Sequence, residues 1–297
     1  MNKYTVHVPA HVPRITLGAF VRRAFPLLPE RAIQAAFAKK DVKIDGKRCG
    51  KGDTVPPGSE VTLFTPCDMS ISVVYEDEYL LAVDKPAGVS CDADVYGSMT
   101  VLDWAVLHAA GVYAPRMCHR LDNPTSGLLV LAKDDQTEAA LKGMFSRHAG
   151  GKEYVCIACG PMEKSIGEEH AWLSKDALHA RVKVTARETP GSKEIITGYE
   201  VMENGPLALV RVRLLTGRTH QIRAHMAYLG HPVLGDDQYG DRGLNREWGQ
   251  DRLMLRAVAL HIDTGGEMPQ VDGIQLRVPT KLDVILNSLR QKSKITD

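Results

Sequence analysis

The chain has 297 residues, 44% hydrophobic and 25% charged, which excludes disordered and fibrous classes and leaves room for one large domain with a smaller one. Its net charge of +1 conceals an uneven spread: residues 1–66 hold 11 lysines and arginines against 5 acidic residues, leaving 26 against 31 in the remainder. The longest apolar run, GLLVLA, is far too short to cross a bilayer and the N-terminus lacks the apolar core of a signal peptide, so no membrane segment and a cytoplasmic location are expected.

Residues 17–40 read as two helices, with Leu17, Phe20, Val21 and Phe25 in the first and Ile33, Ala36 and Phe37 in the second at helical spacing. DVKIDGKRCGKGDTVPPGSEVTLF then alternates short β-rich pieces with turns at Asp45-Gly46, Gly50 to Asp53 and Pro57-Gly58. Two basic helices followed by a small sheet resemble the alpha-L RNA-binding module over about residues 12–65. The resemblance implies a domain at 1–66 that grips phosphates. On charge alone, a merely solvated basic face is an equal reading.

TPCDMS, residues 65–70, reads as a linker, and 67–297 as a second domain. ISVVYEDEYLLAVDKPAGV gives two strands around an acidic turn, broken by Pro86 and Gly88. TVLDWAVLHAAG is a helix capped by Thr100, and DDQTEAALKGMFSRHAGG another, capped by Asp134 or Asp135 and stopped at Gly150-Gly151. Strands are predicted in GLLVLA, EYVCIACG, ALHARVKVTARE, IITGYEVME and LALVRVRLL. RTHQIRAHMAYLG is a helix with Ile222, Met226 and Leu229 on one stripe and Gly230 as its stop. Hairpin-like neighbours outnumber βαβ units, which predicts an α+β fold on a mostly antiparallel sheet. The polar tail RQKSKITD is expected to fray.

Four stretches carry candidate chemistry. In HRLDNPTSGLLVLAK the polar turn Asn123 to Gly127 presents Asp122 at the mouth of a buried strand, with His119 and Arg120 beside it. Taken alone, this reads first as a surface Arg120–Asp122 ion pair. In TGRTHQIRAH, Arg218, His220 and Arg223 gather at a helix N-terminus, where cations oppose the macrodipole. They need an anionic ligand or a carboxylate partner. Lys85 in DKPAGV, by itself, merely ends a strand, and Tyr154 in KEYVCIACG, by itself, is a core tyrosine.

The identity and order of these stretches resemble the RluA family of RNA pseudouridine synthases over about residues 72–262: Lys-Pro-x-Gly, His-Arg-Leu-Asp with Thr-Ser-Gly, Lys-x-Tyr, Gly-Arg-Thr-His-Gln-Ile-Arg, then Gly-Asp-x-x-Tyr-Gly. An alpha-L module commonly precedes that domain. Two departures touch the pocket wall: SCDA at 90–93 stands where relatives often carry a histidine, and Cys156 replaces a common alanine. The resemblance implies a pseudouridine synthase fold and isomerisation of uridines in structured RNA, large-subunit ribosomal RNA first and transfer RNA second. It implies no cofactor and no metal, and a monomer is expected. By the same resemblance Asp122 acts at the sugar carbon, Arg223 aims it, and Tyr154 packs on the uracil and assists proton removal from C5. Arg120 fills the vacated base stack. His119, Lys85, Arg218 and His220 are the further substrate-binding candidates.

Competing readings are weaker. The six cysteines follow no disulfide-scaffold spacing, and Cys156 and Cys159 tend to point to opposite faces of one strand. His220 and His225 lack the glutamate of a zinc-protease helix. A non-catalytic RNA-binding protein is the serious competitor, yet it has no need of Asp122, Tyr154 and Arg223 together.

Overall fold

The computed structural model describes residues 1–66, 70–92, 98–176 and 181–296. Part of the expected linker (67–69), Ala93 of SCDA and the first residues of one expected strand (177–180) lie outside them. The chain forms two compact units, Met1–Ser72 with Gly88–Met117, and Val73–Ala87 with Cys118–Asp297. The single break expected at 66/67 thus becomes three crossings. In the first unit the Met99 N–H donates to the Ala24 carbonyl at 3.0 Å, which ties 88–117 to the N-terminal residues.

The first unit contains β1 (Asn2–His7), α1 (Leu17–Ala24), α2 (Glu30–Ala38), β2 (Val42–Ile44), β3 (Lys47–Arg48) and β4 (Glu60–Thr65), and later α3 (Val101–Ala109) and β7 (Arg116–Met117). Of these, β1 to β4 pair antiparallel in the order β1-β4-β2-β3. Leu17, Phe20, Val21 and Ala24 of α1 and Ile33 and Ala36 of α2 pack into one core with Val42, Val61 and Leu63. The helical spacing therefore translates directly into a buried face. One basic group is already committed: Arg22 donates twice to Glu30, at 2.9 and 2.8 Å. Thr100 caps α3 with a reciprocal Asp103 capping box.

The second unit comprises β5 (Ser72–Glu76), β6 (Leu80–Lys85), β8 (Ser126–Ala132), α4 (Asp135–Ser146), β9 (Gly151–Cys159), β10 (Ile166–Asp176), β11 (Arg181–Thr185), β12 (Lys193–Glu203), β13 (Leu207–Leu214), α5 (Gln221–Tyr228), α6 (Arg242–Glu247), β14 (Leu255–His261), β15 (Gln275–Arg277) and α7 (Leu282–Thr296). The sheet runs β11-β10-β12-β13-β9-β14-β8-β6-β5. β8 and β14 run parallel at its middle, flanked by antiparallel pairs. The α+β class and the mostly antiparallel sheet expected from the sequence are those of the molecule.

Two local expectations change, at the end of α4 and at the C-terminal tail. α4 ends at Ser146, before the glycines, because His148 turns to φ +58. The tail expected to fray continues α7 to Thr296. Cys156 and Cys159 are both buried, which pushes their thiols up to about 12 and about 11. No helix among the described residues is long and apolar enough to cross a membrane.

Candidate active site

All eight candidate residues lie in the second unit. The turn holding Asp122 is closed by the Thr125 N–H donating to the Asp122 carbonyl at 3.0 Å. Lys85, at the end of β6, is 0% exposed, and its ammonium donates to the Pro86 and Asn123 carbonyls, both at 3.0 Å. A buried ammonium needs such partners. Lys85 therefore braces the turn that carries Asp122, and its burial removes it from any RNA surface. Gly127 sits at φ +112, and a Cβ there would overlap the Ala257 carbonyl oxygen of β14. Only glycine lets β8 approach β14 that closely.

Across the site, Arg223 of α5 is 3% exposed. Its Nε and Nη2 donate to Oδ2 and Oδ1 of Asp236 at 2.7 and 2.8 Å, a bidentate pair. Its remaining nitrogen, Nη1, lies 3.5 Å from Asp122 Oδ2, whose side chain is 22% exposed. Asp236 is fully buried, and its Oδ1 also accepts the N–H groups of Gln238 and Tyr239. Burial opposes charge on both partners; the Arg223–Asp236 hydrogen bonds and the backbone donors outweigh it, holding the Asp236 carboxyl below the usual range and Arg223 above its own. The carboxylate partner that the cations at this helix start require is thus supplied by Gly-Asp-x-x-Tyr-Gly. Tyr239 of the same stretch places its ring 5.2 Å from the Arg223 guanidinium carbon.

The start of α5 is built by side chains. Gln221 Oε1 accepts the Arg218 N–H at 3.0 Å and the Thr216 hydroxyl at 2.9 Å, while its Nε2 donates to the Ile196 carbonyl and Thr197 Oγ1. His220 takes a left-handed φ of +55 and directs Nε2 to 3.9 Å from Asp122 Oδ1. Such a φ in a non-glycine residue costs on the order of 1 kcal/mol or more and concentrates at functional sites. His225, one turn on, is buried against Thr197, 2.9 Å from its Oγ1.

Tyr154 is buried on β9. Gly127 pairs with Ala257, and Ala257 with Tyr154, so the tyrosine stands in the row where β8 begins, about two strand spacings or ~10 Å away. It shares a face with Lys152, whose Nζ lies 4.0 Å over the Phe145 ring of α4 and whose ammonium burial pulls down to about 8. Lys152 pairs through Leu214 with Thr197, the partner of His225, so α4 and α5 both cover the face bearing Tyr154.

The remaining candidates separate. His119 does not join the cluster: its Nε2 accepts the Val130 N–H at 3.1 Å, its ring lies 4.6 Å from that of Phe145, and burial with the Lys152 charge holds it well below the usual histidine range. Arg120 is exposed and Arg218 half-buried in the Gln221-bound turn. Asp236, Tyr239 and Gln221 carry the site's geometry; in the sequence all three stand inside the quoted motifs without a role of their own. Their signal was a buried acid and phenol in a glycine-bounded motif, and a glutamine at a helix start.

The family model for RNA pseudouridylate synthase matches residues 79–228, half of the chain, and takes in Asp122, Tyr154 and Arg223. The chain belongs to the RNA pseudouridylate synthase family. A ribosomal large subunit pseudouridine synthase D from Zymomonas mobilis is 34% identical over 223 residues, covering 71% of this chain and 69% of the relative. A ribosomal large subunit pseudouridine synthase C from Vibrio vulnificus is 29% identical over 298 residues, covering 91% of each. Among solved structures, human RNA pseudouridylate synthase domain containing 1 superposes with a TM-score of 0.61 at 26% identity, over 76% of this chain and 98% of that one. The RluA-type assignment made from these motifs stands, and the protein is an isomerase.

Proposed function

We propose that this synthase isomerises specific uridines in large-subunit ribosomal RNA, with Asp122 as the group that acts at the ribose during cleavage of the N1–C1′ bond. The observation that carries this reading is Asp122 itself: a partly exposed carboxylate on a braced turn, aimed by a buried arginine that a second carboxylate holds. Cleaving a glycosidic bond calls for a carboxylate close to the sugar carbon, by analogy with glycosidases. The freed uracil turns, C5 joins C1′, and the proton leaving C5 is balanced by the one gained at N1. Substrate and product are isomers, so the chemistry needs no outside group or electron.

Tyr154 serves the closing step, packing on the base and assisting removal of the C5 proton. The target nucleotide must leave its stack, at a cost of a few kcal/mol. Exposed Arg120, in the Asp122 loop, fills or holds the gap, and Arg218 contacts RNA. The basic groups of residues 1–66 supply salt-dependent affinity as an alpha-L module. Every residue named at the site belongs to one compact unit, so a monomer suffices. The compartment is the cytoplasm, where ribosomal RNA of this kind is modified.

Large-subunit ribosomal RNA is favoured because relatives across most of the chain bear that description. The test is to incubate the purified protein with ribosomal and transfer RNA from cells lacking it and map pseudouridine at nucleotide resolution. New sites confined to large-subunit RNA are expected; sites only in transfer RNA would replace the substrate, and none in either would overturn the function.

A further inference from the structure

Tyr239 joins three elements. Its hydroxyl oxygen accepts the Val182 N–H of β11 at 3.0 Å and lies 2.8 Å from His220 Nδ1, with the two rings edge to face at 72°. The opposite ring nitrogen, Nε2, is the one 3.9 Å from Asp122 Oδ1. A neutral imidazole carries one proton, so two arrangements compete. If Nδ1 held it, the lone pair of Nε2 would face a carboxylate oxygen and the Tyr239 proton would lose its acceptor. If Nε2 holds it, Tyr239 donates to Nδ1, the Val182 N–H is still accepted, and an N–H dipole points at Asp122. Only the second arrangement keeps the Tyr239 proton bonded and turns no lone pair toward the carboxylate.

The charged groups around the ring are Asp122, Arg223, Asp236 and Asp237, with the Tyr239 phenol. Burial is the largest influence and lowers the pKa of His220; together with the Arg223 cation it outweighs the three carboxylates, and the ring stays neutral. Each oxygen of Asp122 thus faces a different donor: Oδ2 the Arg223 cation, Oδ1 an uncharged N–H. A neutral donor orients a carboxylate without placing a second cation against it.

We propose that Tyr239 fixes His220 as a neutral donor, protonated on Nε2, to Oδ1 of Asp122, which makes both residues positioning residues for the reacting carboxylate rather than contacts for RNA. This rests on the reading of Asp122 given above. The 3.9 Å separation shortens to a hydrogen bond once substrate is seated, as catalytic hydrogen bonds commonly do on leaving the free state.

The full-length protein, Tyr239→Phe, His220→Gln and the double variant would be compared in two ways. Long-range proton–nitrogen NMR of ¹⁵N-histidine-labelled free protein reads the tautomer directly, whether or not any RNA is turned over. His220 is expected as the neutral Nε2–H form at pH 7 to 8, and Tyr239→Phe is expected to bring in the Nδ1–H or the charged form within that range. An Nδ1–H tautomer in the parent protein would overturn the proposal. Single-turnover pseudouridine formation is expected to slow about tenfold in Tyr239→Phe, the worth of one lost hydrogen bond. RNA affinity should stay within about twofold, and the acidic limb of the rate profile should move to higher pH. In the His220→Gln background, Tyr239→Phe is expected to cost nothing more. Losses that multiply, or that appear in RNA affinity instead of rate, would refute the positioning role. A parent protein that shows the Nε2–H tautomer but makes no pseudouridine would count against the proposed function and not against the hydrogen-bond chain.

Discussion

Arg223 is the residue on which the site turns. It is buried with two of its nitrogens committed to Asp236 and one left for Asp122. Removing charge from Asp236 therefore does more than weaken one pair: it leaves the buried guanidinium with the longer contacts to Asp122 and Asp237, both 3.5 Å, and frees it to rotate away from Asp122. Asp236→Asn is expected to lower stability by about 3 kcal/mol, the usual cost of breaking a buried pair from one side, and to reduce turnover by more than it reduces RNA affinity. Urea denaturation and single-turnover rates would check both. A loss below about 1 kcal/mol would mean that the pair is solvated like a surface ion pair.

The elements that frame the site carry a pH signature. His225 of α5 is buried beneath Thr197, and burial lowers its pKa from 6.5 to about 4. Between those values the unfolded chain binds a proton that the folded chain refuses. Stability is therefore complete above about pH 6.5 and falls as the pH drops to about 4, by at most roughly 3 kcal/mol from this residue. His119, also held below its usual range, contributes in the same direction. Urea midpoints measured from pH 7 to 4 are expected to fall more steeply for the parent than for His225→Gln. Equal slopes would place the proton elsewhere.

Elements with a strong period were legible in the sequence: the stripes of α1 and α5, and the apolar run of β8. β10 was not, because its Glu168, Glu169 and His170 look like a loop while Ala171 and Leu173 alone turn inward. The candidate site was legible as a set of residue types and not as an arrangement. Nothing in HRLD or DKPAG tells that His119 is drawn to the β8 backbone or that Lys85 is sealed beneath a turn, since both depend on strands far apart in the chain. Asp236 stands within the quoted Gly-Asp-x-x-Tyr-Gly but its role is not legible there, because its pairing with Arg223 depends on how the loop folds back on α5.

At the scale of the whole molecule, the proposed RNA grip is tested on the basic residues of the N-terminal sequence. Arg31 of α2, Lys39 at its C-terminal end and Lys47 and Arg48 of β3 are exposed and lie in the first unit, whereas the residues that hold Asp122 belong to the second. Changing these four to glutamine is expected to weaken RNA binding and to flatten its dependence on salt by about one unit of slope for each phosphate no longer neutralised, with the single-turnover rate at saturating RNA close to the parent's. Filter binding across a salt series would show it. An unchanged slope would assign the basic surface to solubility instead of RNA.

The proposed chemistry converges on Asp122, and the most direct measurement is single-turnover pseudouridine formation by the Asp122→Asn protein beside its affinity for the same RNA. The substitution keeps the shape of the turn and removes the carboxylate that Arg223 and His220 face. Formation is expected to disappear while affinity stays within about twofold. Undiminished formation of pseudouridine in that variant would contradict the role given to Asp122, because no other carboxylate stands on that turn.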